Sequence, residues 1–538
     1  MKSRKMARLL ASLVVAVIFL VPTACTKGPD TTPTGGTEPK YGGILHIEGR
    51  TDPVHFDPHY NRAWHFAPCV TSIFNNLVCW DPHDPNAIIP ELAERYEVAS
   101  DRLSVTFYLR QGVKWHDGQP FTAADVKFSL QRMADASKST EISKQMQLVV
   151  AGIDIIDDHT VKVRLKQPSA SFLAILSGGP GAMQAAHVAD QYERTDTRRL
   201  VGTGPFEFKE YIPGNKFEVV KNPDYWDKGR PYLDGIISYV IPAEDARIAA
   251  LVSGRLDITH PVSGVRSIAM LEEWDKHPEI DYLVEVAPSV NAFEGQFKDG
   301  HPWNDVRVRK AFSLVLDREA MFAAFSGTPR LGAAGAYLCP GSPWAVSEVE
   351  LNDWLELDKP YETRVAEATK LLADAGYANG FTAGLMLDNS ADYVRMASVI
   401  ADTLQTTLNV KLNLEVMEEA ELVQREVDRN YDFILRLKLS SSGDPSDLLG
   451  VYWVTGATGN YSGYSNPELD AAHLAQDSEF DPVKRAELTK KAERILMEDY
   501  PDIAGIWRAY GYAYRVYLKG ETLKMVYGWR YANFWLDK

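Results

Sequence analysis

Residues able to make or break bonds are plentiful in this chain, but not in the arrangements that such chemistry requires. There is no His-Glu-x-x-His pair to hold a metal, no Gly-x-Ser-x-Gly turn to present a nucleophile, no Gly-x-x-x-x-Gly-Lys-Ser/Thr phosphate cradle and no Cys-x-x-Cys. The 12 histidines are scattered; His55 and His59 are four apart, but Pro58 lies between them and keeps them off one helix face. Carboxylates are numerous, and a hydrolytic pair is defined by separation in space, which spacing along the chain does not supply. No reactive constellation, cofactor site or metal site is recognised among these motifs, and neither enzyme activity nor a cofactor or metal is expected. What is abundant is aromatic: 12 Trp and 25 Tyr, several beside polar residues or turns. Tyr60 and Trp64 fall in YNRAWHF, Tyr452 precedes Trp453, and Trp529 opens a run reaching Trp535. Rings with an apolar face and a polar tip suit a pocket that grips a small solute, although burial in the core is the competing role for each.

The elements that must position such rings alternate between the two common periods. Leu103, Val105, Phe107 and Leu109 repeat every second residue, as do Val410, Leu412, Leu414 and Val416, which predicts strands. Asp157-Asp158-His159 predicts the turn of a hairpin from Ile153 to Leu165. Thr122-Ala123-Ala124-Asp125 reads as a capping box opening a helix to about Ala136. Helical periodicity also marks Asp305 to Phe325, Thr363 to Ala375 with Gly376 as its exit, and Pro482 to Met497. The result is an α/β protein, too long at 538 residues for one core.

The N-terminus is organised differently. Lys2, Arg4, Lys5 and Arg8 precede the uncharged run Leu9–Val21, and Ala24-Cys25 follows. A basic head, a short apolar middle and a small residue before a cut predict a signal peptide over residues 1–24. The Cys25 environment resembles the lipobox of bacterial lipoproteins, with Pro22 where Leu is usual. Lipidation of Cys25 and a disordered tether over 25–40 are expected, giving an exported, membrane-anchored lipoprotein. Three cysteines remain: Cys69 and Cys79 could pair across a turn, or all three could be unbridged. The formal charge is −16, and loss of residues 1–24 removes four basic side chains. A net acidic chain repels phosphate backbones, so no nucleic-acid partner is expected; the charge suits neutral or cationic cargo, solubility alone being the competing reading.

A set of ordered motifs carries a resemblance. Pro90-Glu91-Leu92-Ala93 is followed by Phe107-Tyr108-Leu109-Arg110-Gln111-Gly112-Val113-Lys114-Trp115-His116-Asp117-Gly118 and by Gln119-Pro120-Phe121-Thr122-Ala123-Ala124-Asp125-Val126. Gly202-Thr203-Gly204-Pro205-Phe206, Asn222-Pro223-Asp224-Tyr225-Trp226, Ser253-Gly254-Arg255-Leu256-Asp257 and Asp305-Val306-Arg307-Val308-Arg309-Lys310-Ala311 come next. Leu371-Leu372-Ala373-Asp374-Ala375-Gly376-Tyr377 and Tyr464-Ser465-Asn466-Pro467-Glu468-Leu469-Asp470 complete the series. Together they resemble family 5 extracellular solute-binding proteins, the oligopeptide-, dipeptide- and nickel-binding components of ABC importers.

The resemblance implies a two-lobe periplasmic-binding-protein fold with a hinge and an extra domain inserted in the first lobe. Lobe I would comprise residues 41–80, 201–288 and 505–538, the insert 81–200 and lobe II 289–504. It implies a monomer that delivers a peptide or peptide-like solute to an ABC permease and its ATPase subunits, with an oligosaccharide as the alternative cargo. Peptide-binding relatives usually carry an acidic residue three positions before an Asp-Pro or Glu-Pro, where it pairs with the peptide ammonium. Here Asp444-Pro445 is present, and Ser441 stands at that position. A hydroxyl cannot supply the ion pair, so Asp444 could replace it, or the cargo could lack a free amine. Arg436 and Lys438, on one face of a predicted strand just upstream, could meet a carboxylate, a solvated strand edge being the competing reading.

Overall fold

The computed structural model describes residues 38–538 apart from 50, 61–67, 83, 85, 86, 136, 138–140, 261–267, 329, 330, 441, 504 and 521–530. The predicted signal peptide, Cys25 and most of the tether, together with Trp64, Ser441 and Trp529, lie outside the described residues. No described helix is long and apolar enough to cross a membrane.

Three sheets organise the rest. A four-stranded sheet has the order Ile44–Gly49, Gly235–Val240, Lys216–Lys221, Phe206–Ile212; its first pair is parallel and the others antiparallel. A second, wholly antiparallel sheet runs Ala93–Val98, Ser104–Leu109, Thr160–Leu165, Val150–Asp157. Its outer pair is the predicted hairpin, with the His159 amide donating to Asp157 at the turn. The helix Ala123–Met133 covers this sheet and opens with the predicted Thr122–Asp125 capping box. The third and largest sheet has six strands: Gly332–Ala334, Ile506–Arg515, Ile280–Gly295, Phe433–Leu439, Thr382–Asp388 and Lys411–Met417. Its last three strands are parallel. Their side chains, with the helices Val306–Val315, Tyr361–Asp374 and Ala391–Leu408, form a core that includes Phe293, Phe312, Leu385, Ile400 and Phe433.

One predicted element divides. Asp305 to Phe325 is two helices, Val306–Val315 and Arg318–Ser326. Leu316 is extended, and the Asp317 carboxylate accepts from the Ala320 amide to start the second helix. An internal N-cap thus outcompetes apolar periodicity that continues through it.

The Gly202-Thr203-Gly204 motif has a steric origin. A Cβ on Gly202 would lie 1.8 Å from the Ile73 carbonyl oxygen, and one on Gly204 would lie 2.4 Å from that of Ser72. The glycines let this segment press against the backbone after the short helix Pro68–Thr71, and the Gly204 amide donates to the Ile73 carbonyl at 2.9 Å.

Cys69 and Cys79 do not form the disulfide that their spacing allowed. Cys69 is fully buried beneath the first sheet and carries no disulfide. Its thiol lies 4.0 Å from the Phe217 carbonyl, whereas the Cys79 thiol points to the Ile89 carbonyl at 3.8 Å within a different strand pair.

A buried charge cluster ties the segment after the first strand to the second sheet. The Asp57 carboxylate receives Arg132 at 2.5 and 3.0 Å, Arg199 at 2.9 Å and Gln184 at 3.1 Å, and is 0% exposed. Arg132 comes from the covering helix and Arg199 from the turn Thr197–Arg199.

Two long strands, Ile280–Gly295 and Ile506–Arg515, pass from the six-stranded sheet to the first sheet. Ile258 bridges both to Tyr514 on the second of these and to Ile47 in the first sheet. Their mutual register shifts between Val286 and Val290, where Pro288 interrupts the ladder. A register shift at the crossing gives a local bend between the two bodies.

Candidate functional site

The parallel strands Phe433–Leu439 and Thr382–Asp388 end at the side of the six-stranded body where the long strands cross. In open α/β sheets the carboxyl ends of strands are where ligands bind. The first strand leads into Ser440 to Trp453, the segment in which most site residues were expected. Its arrangement is set by buried acids. Asp447 accepts from the Ser440 hydroxyl at 3.1 Å, the Ser442 amide at 2.8 Å and the Ser442 hydroxyl at 2.9 Å. Burial, with Asp444 nearby, raises the Asp447 carboxyl above its ordinary range.

Asp444 is committed to the protein itself. Both its oxygens receive Arg485 at 2.7 Å, and it caps the helix Pro445–Leu448 by accepting from the Ser446 amide at 2.9 Å. The Arg485 guanidinium already neutralises this carboxylate, so in this structure the Asp444 charge is paired within the protein.

Arg436 is likewise engaged. It meets Glu419 at 3.1 Å and Glu426 at 2.9 Å, both from the helix Glu419–Val427 and its first turn. Burial pushes Glu426 up to about 7 despite Arg436 beside it. The solvated-edge reading and the ligand-carboxylate reading both give way to an internal ion pair.

Trp453 is 0% exposed and belongs to a core with Tyr337, Trp344, Leu448 and Trp507. Its ring stands edge-on to Tyr337 at 5.2 Å, and the Lys438 ammonium lies 4.9 Å from its centroid. A ring enclosed on this scale packs the body and does not form an open wall. Lys438 itself is buried between Glu294 at 2.6 Å and Asp502 at 3.6 Å. Tyr60 lies on the other body, edge-on to His55 at 5.7 Å and beneath the Arg194 guanidinium at 4.2 Å.

Sequence reasoning passed over Arg508, which lies on the strand Ile506–Arg515 beside the register shift. In Trp507 to Tyr514 the small residues Ala509, Gly511 and Ala513 take one face of the strand, and Arg508, Tyr510, Tyr512 and Tyr514 the other. Arg508 donates to Asn291 Oδ1 at 3.0 Å and to the Tyr393 hydroxyl at 2.7 Å. Its guanidinium lies 4.5 Å from the Phe325 ring centroid. An arginine inside a period-two aromatic run was the available signal, hidden because the run also reads as ordinary strand.

The second sheet's domain touches the six-stranded body across the gap. The Ala170 and Ser171 amides donate to Asp477 at 2.6 and 3.0 Å, Arg102 donates to the Ser478 carbonyl at 2.8 Å, and Gln145 to Asp447 at 3.2 Å. The structure therefore has the two bodies in contact beyond the crossing strands.

A pH effect arises in the same body. Glu493 is fully buried and accepts from the amides of Tyr337, Leu338 and Val346 at 3.0, 2.8 and 2.7 Å. Burial, opposed by these amides, pushes it up to about 7, and burial lifts Asp502 to about 6. Both groups hold protons more tightly folded than unfolded, so their contribution is complete below the unfolded values and is lost as pH rises through 6 to 7. Melting temperature should fall between pH 5 and pH 8, and Glu493→Gln should flatten that slope; an unchanged slope in the variant would exclude Glu493 as its source.

Comparison with known proteins matches this geometry. The family profile described as "Bacterial extracellular solute-binding proteins, family 5 Middle" matches residues 87–460. The chain is 28% identical over 536 residues to heme-binding protein A of Haemophilus influenzae, covering 92% of this chain and 93% of that one. It is 28% identical over 480 residues to di/tripeptide-binding protein 2 of Pseudomonas aeruginosa, covering 84% and 86%. The solved structure of the periplasmic binding protein DppA from Helicobacter pylori, in complex with the peptide STSA, superposes with a TM-score of 0.74 at 23% identity, covering 93% of this chain and 99% of that one. The fold is thus the two-lobe periplasmic-binding-protein fold. By profile and overall likeness, the chain belongs to the bacterial extracellular solute-binding proteins of family 5, which are transport binding proteins and not enzymes.

Proposed function

We propose that this chain is the receptor of an ABC importer that captures a peptide or peptide-like solute between its lobes and delivers it to a membrane permease. The observation that carries the reading is the pair of continuous strands linking two bodies that also touch across the gap, on the scaffold of a solute-binding family. Hinge closure on a ligand would create the shape that a permease recognises. Peptide cargo is supported by the names of relatives such as the di/tripeptide-binding protein. In this reading lobe I comprises residues 41–80, 201–288 and 505–538, the insert 81–200 and lobe II 289–504. Export through residues 1–24 and a lipid on Cys25 would hold a monomer at the outer face of a membrane.

The test is native mass spectrometry of the protein purified without refolding, followed by titration with peptides and oligosaccharides. Extra mass fitting amino-acid residues establishes peptide cargo. Extra mass in hexose or pentose steps moves the assignment to oligosaccharides. A bare mass with no response to either panel would overturn both cargo readings. Recovery of an added peptide in cleaved form would reveal a hydrolase instead.

A further inference from the structure

An α-helix leaves its first amides and its last carbonyls without partners in its own ladder. The helix Ser171–Ser177, in the second sheet's domain, begins with such amides, and Pro467–Asp477, in the six-stranded body, ends with such carbonyls. The fold brings the two ends together. The Ala170 amide donates to the Asp477 carbonyl at 2.6 Å, and the Ser171 amide to the Asp477 carboxylate at 3.0 Å. Arg102 donates to the next carbonyl, that of Ser478, at 2.8 Å and reaches Glu479 at 3.4 Å. A cation is favoured at a helix C-terminus. Gln145, from the helix Glu141–Val149, donates to Asp447 at 3.2 Å. In each of these bonds the donor belongs to the second sheet's domain and the acceptor to the six-stranded body.

Arg102 holds its place at a conformational cost. Its φ is 60°, the left-handed region that favours glycine, in the turn between the strands Ala93–Val98 and Ser104–Leu109. The turn uses only its backbone, the Arg102 amide donating to the Ala99 carbonyl at 2.8 Å, and a glycine would do the same. What an arginine adds is its side chain, and the described partners of that side chain lie across the gap: Ser478, Glu479 and the Phe480 ring at 5.7 Å. Strain of this kind persists where the surrounding contacts over-determine it.

Both acids that receive the contact belong to the buried network that orders the segment after the strand Phe433–Leu439. Asp447 accepts from Ser440 and Ser442. Asp477 accepts from the Ser446 hydroxyl at 3.3 Å and lies 3.8 Å from Arg485, the partner of Asp444. Gln476, one residue before Asp477, donates to the same Ser446 hydroxyl at 2.8 Å. A displacement of the second sheet's domain therefore reaches the acids that fix Ser440, Ser442 and the helix Pro445–Leu448.

We propose that Arg102, Gln145 and the Ala170 and Ser171 amides form a clasp that locks the second sheet's domain onto Asp447 and residues 477–479. The clasp holds the two bodies together and keeps the segment around Ser442 and Pro445–Leu448 ordered, so that a held solute leaves only after the clasp opens. The link to solute release rests on the reading of the chain as a solute receptor that closes on its cargo; the clasp itself does not.

The test is hydrogen exchange read by mass spectrometry on the full-length protein, purified without refolding, beside Arg102→Gly, Gln145→Ala and the double variant. In the double variant, residues 168–178 and 442–448 should exchange about tenfold faster than in the wild type, while the hairpin 153–165 keeps its protection. Arg102→Gly is the discriminating variant, because it removes the side chain and suits the left-handed backbone. A clasp predicts faster exchange in both segments with little change in melting temperature. An arginine that serves only its own domain predicts a lower melting temperature and faster exchange of the hairpin. Unchanged exchange at 168–178, an increase confined to that segment, or an increase that spreads to the hairpin would each overturn the clasp. Trialanine, followed by tryptophan fluorescence in stopped flow, tests the link to release. It should dissociate about tenfold faster from the double variant, with association changed by less than about twofold. Equal dissociation beside faster exchange would overturn the link and leave the clasp. No trialanine binding by the wild-type chain would overturn the link and count against peptide cargo, with the exchange data still deciding the clasp.

Discussion

Asp57→Asn should destabilise the protein by about 3–5 kcal/mol, the usual cost of removing one partner from a buried ion pair. The substitution keeps the shape but removes the charge that compensates two buried arginines. Arg132 would retain the exposed Asp190 at 2.9 Å and His59 Nδ1 at 3.0 Å, and Arg199 would retain the Tyr192 carbonyl at 3.2 Å and Gln184. The loss should appear as a lower urea midpoint in wild-type and variant chains compared at pH 7. Burial opposes the Asp57 charge, but Arg132, with His59 and Arg199, holds its carboxyl well below the usual carboxylate range. Its stabilisation is therefore present above the unfolded carboxylate pKa and is lost only as pH falls through the lower folded value. The difference between the two proteins should shrink in strong acid. A loss below about 1 kcal/mol at pH 7 would mean that water or another acid reaches the arginines.

Trp453→Ala should cost about 3–5 kcal/mol, as large aromatic truncations in cores do. The indole is enclosed by Tyr337, Leu448 and Trp507, and its loss would also strip the Lys438 ammonium of an aromatic face. Trp453→Phe should recover most of the stability because it refills most of the volume. The measurement is a pair of urea curves with solute affinity measured alongside. If Trp453→Ala left stability unchanged and weakened solute binding tenfold, the ring would belong to the cleft wall and not to the core.

These two sites show why some roles were legible and others were not. Thr122 and Asp125 are three residues apart, and a capping box is a local contract between neighbours, so its helix could be read directly. The hairpin around Asp157 and the parallel strand Lys411–Met417 follow from period-two patterning in the same way. Asp317 was different: apolar spacing runs on through it, and only the extended Leu316 reveals that its side chain starts a new helix. The candidate site suffered most. Asp444, Arg436 and Trp453 have the residue types that grip solutes, but each is consumed by a partner distant in sequence or by the core, Asp444 by Arg485 above all.

What the sequence by itself determined was the family, the α/β class and the absence of recognisable catalytic motifs, because motif order and side-chain periodicity are local properties that survive without coordinates. Which charges are spent was decided by tertiary structure alone. Ion pairing depends on distances between segments far apart in the chain: Asp57 meets Arg199, and Lys438 meets Glu294. A carboxylate or guanidinium looks the same in sequence whether it is neutralised or waiting for a ligand, and only the fold brings, or fails to bring, the opposite charge within reach.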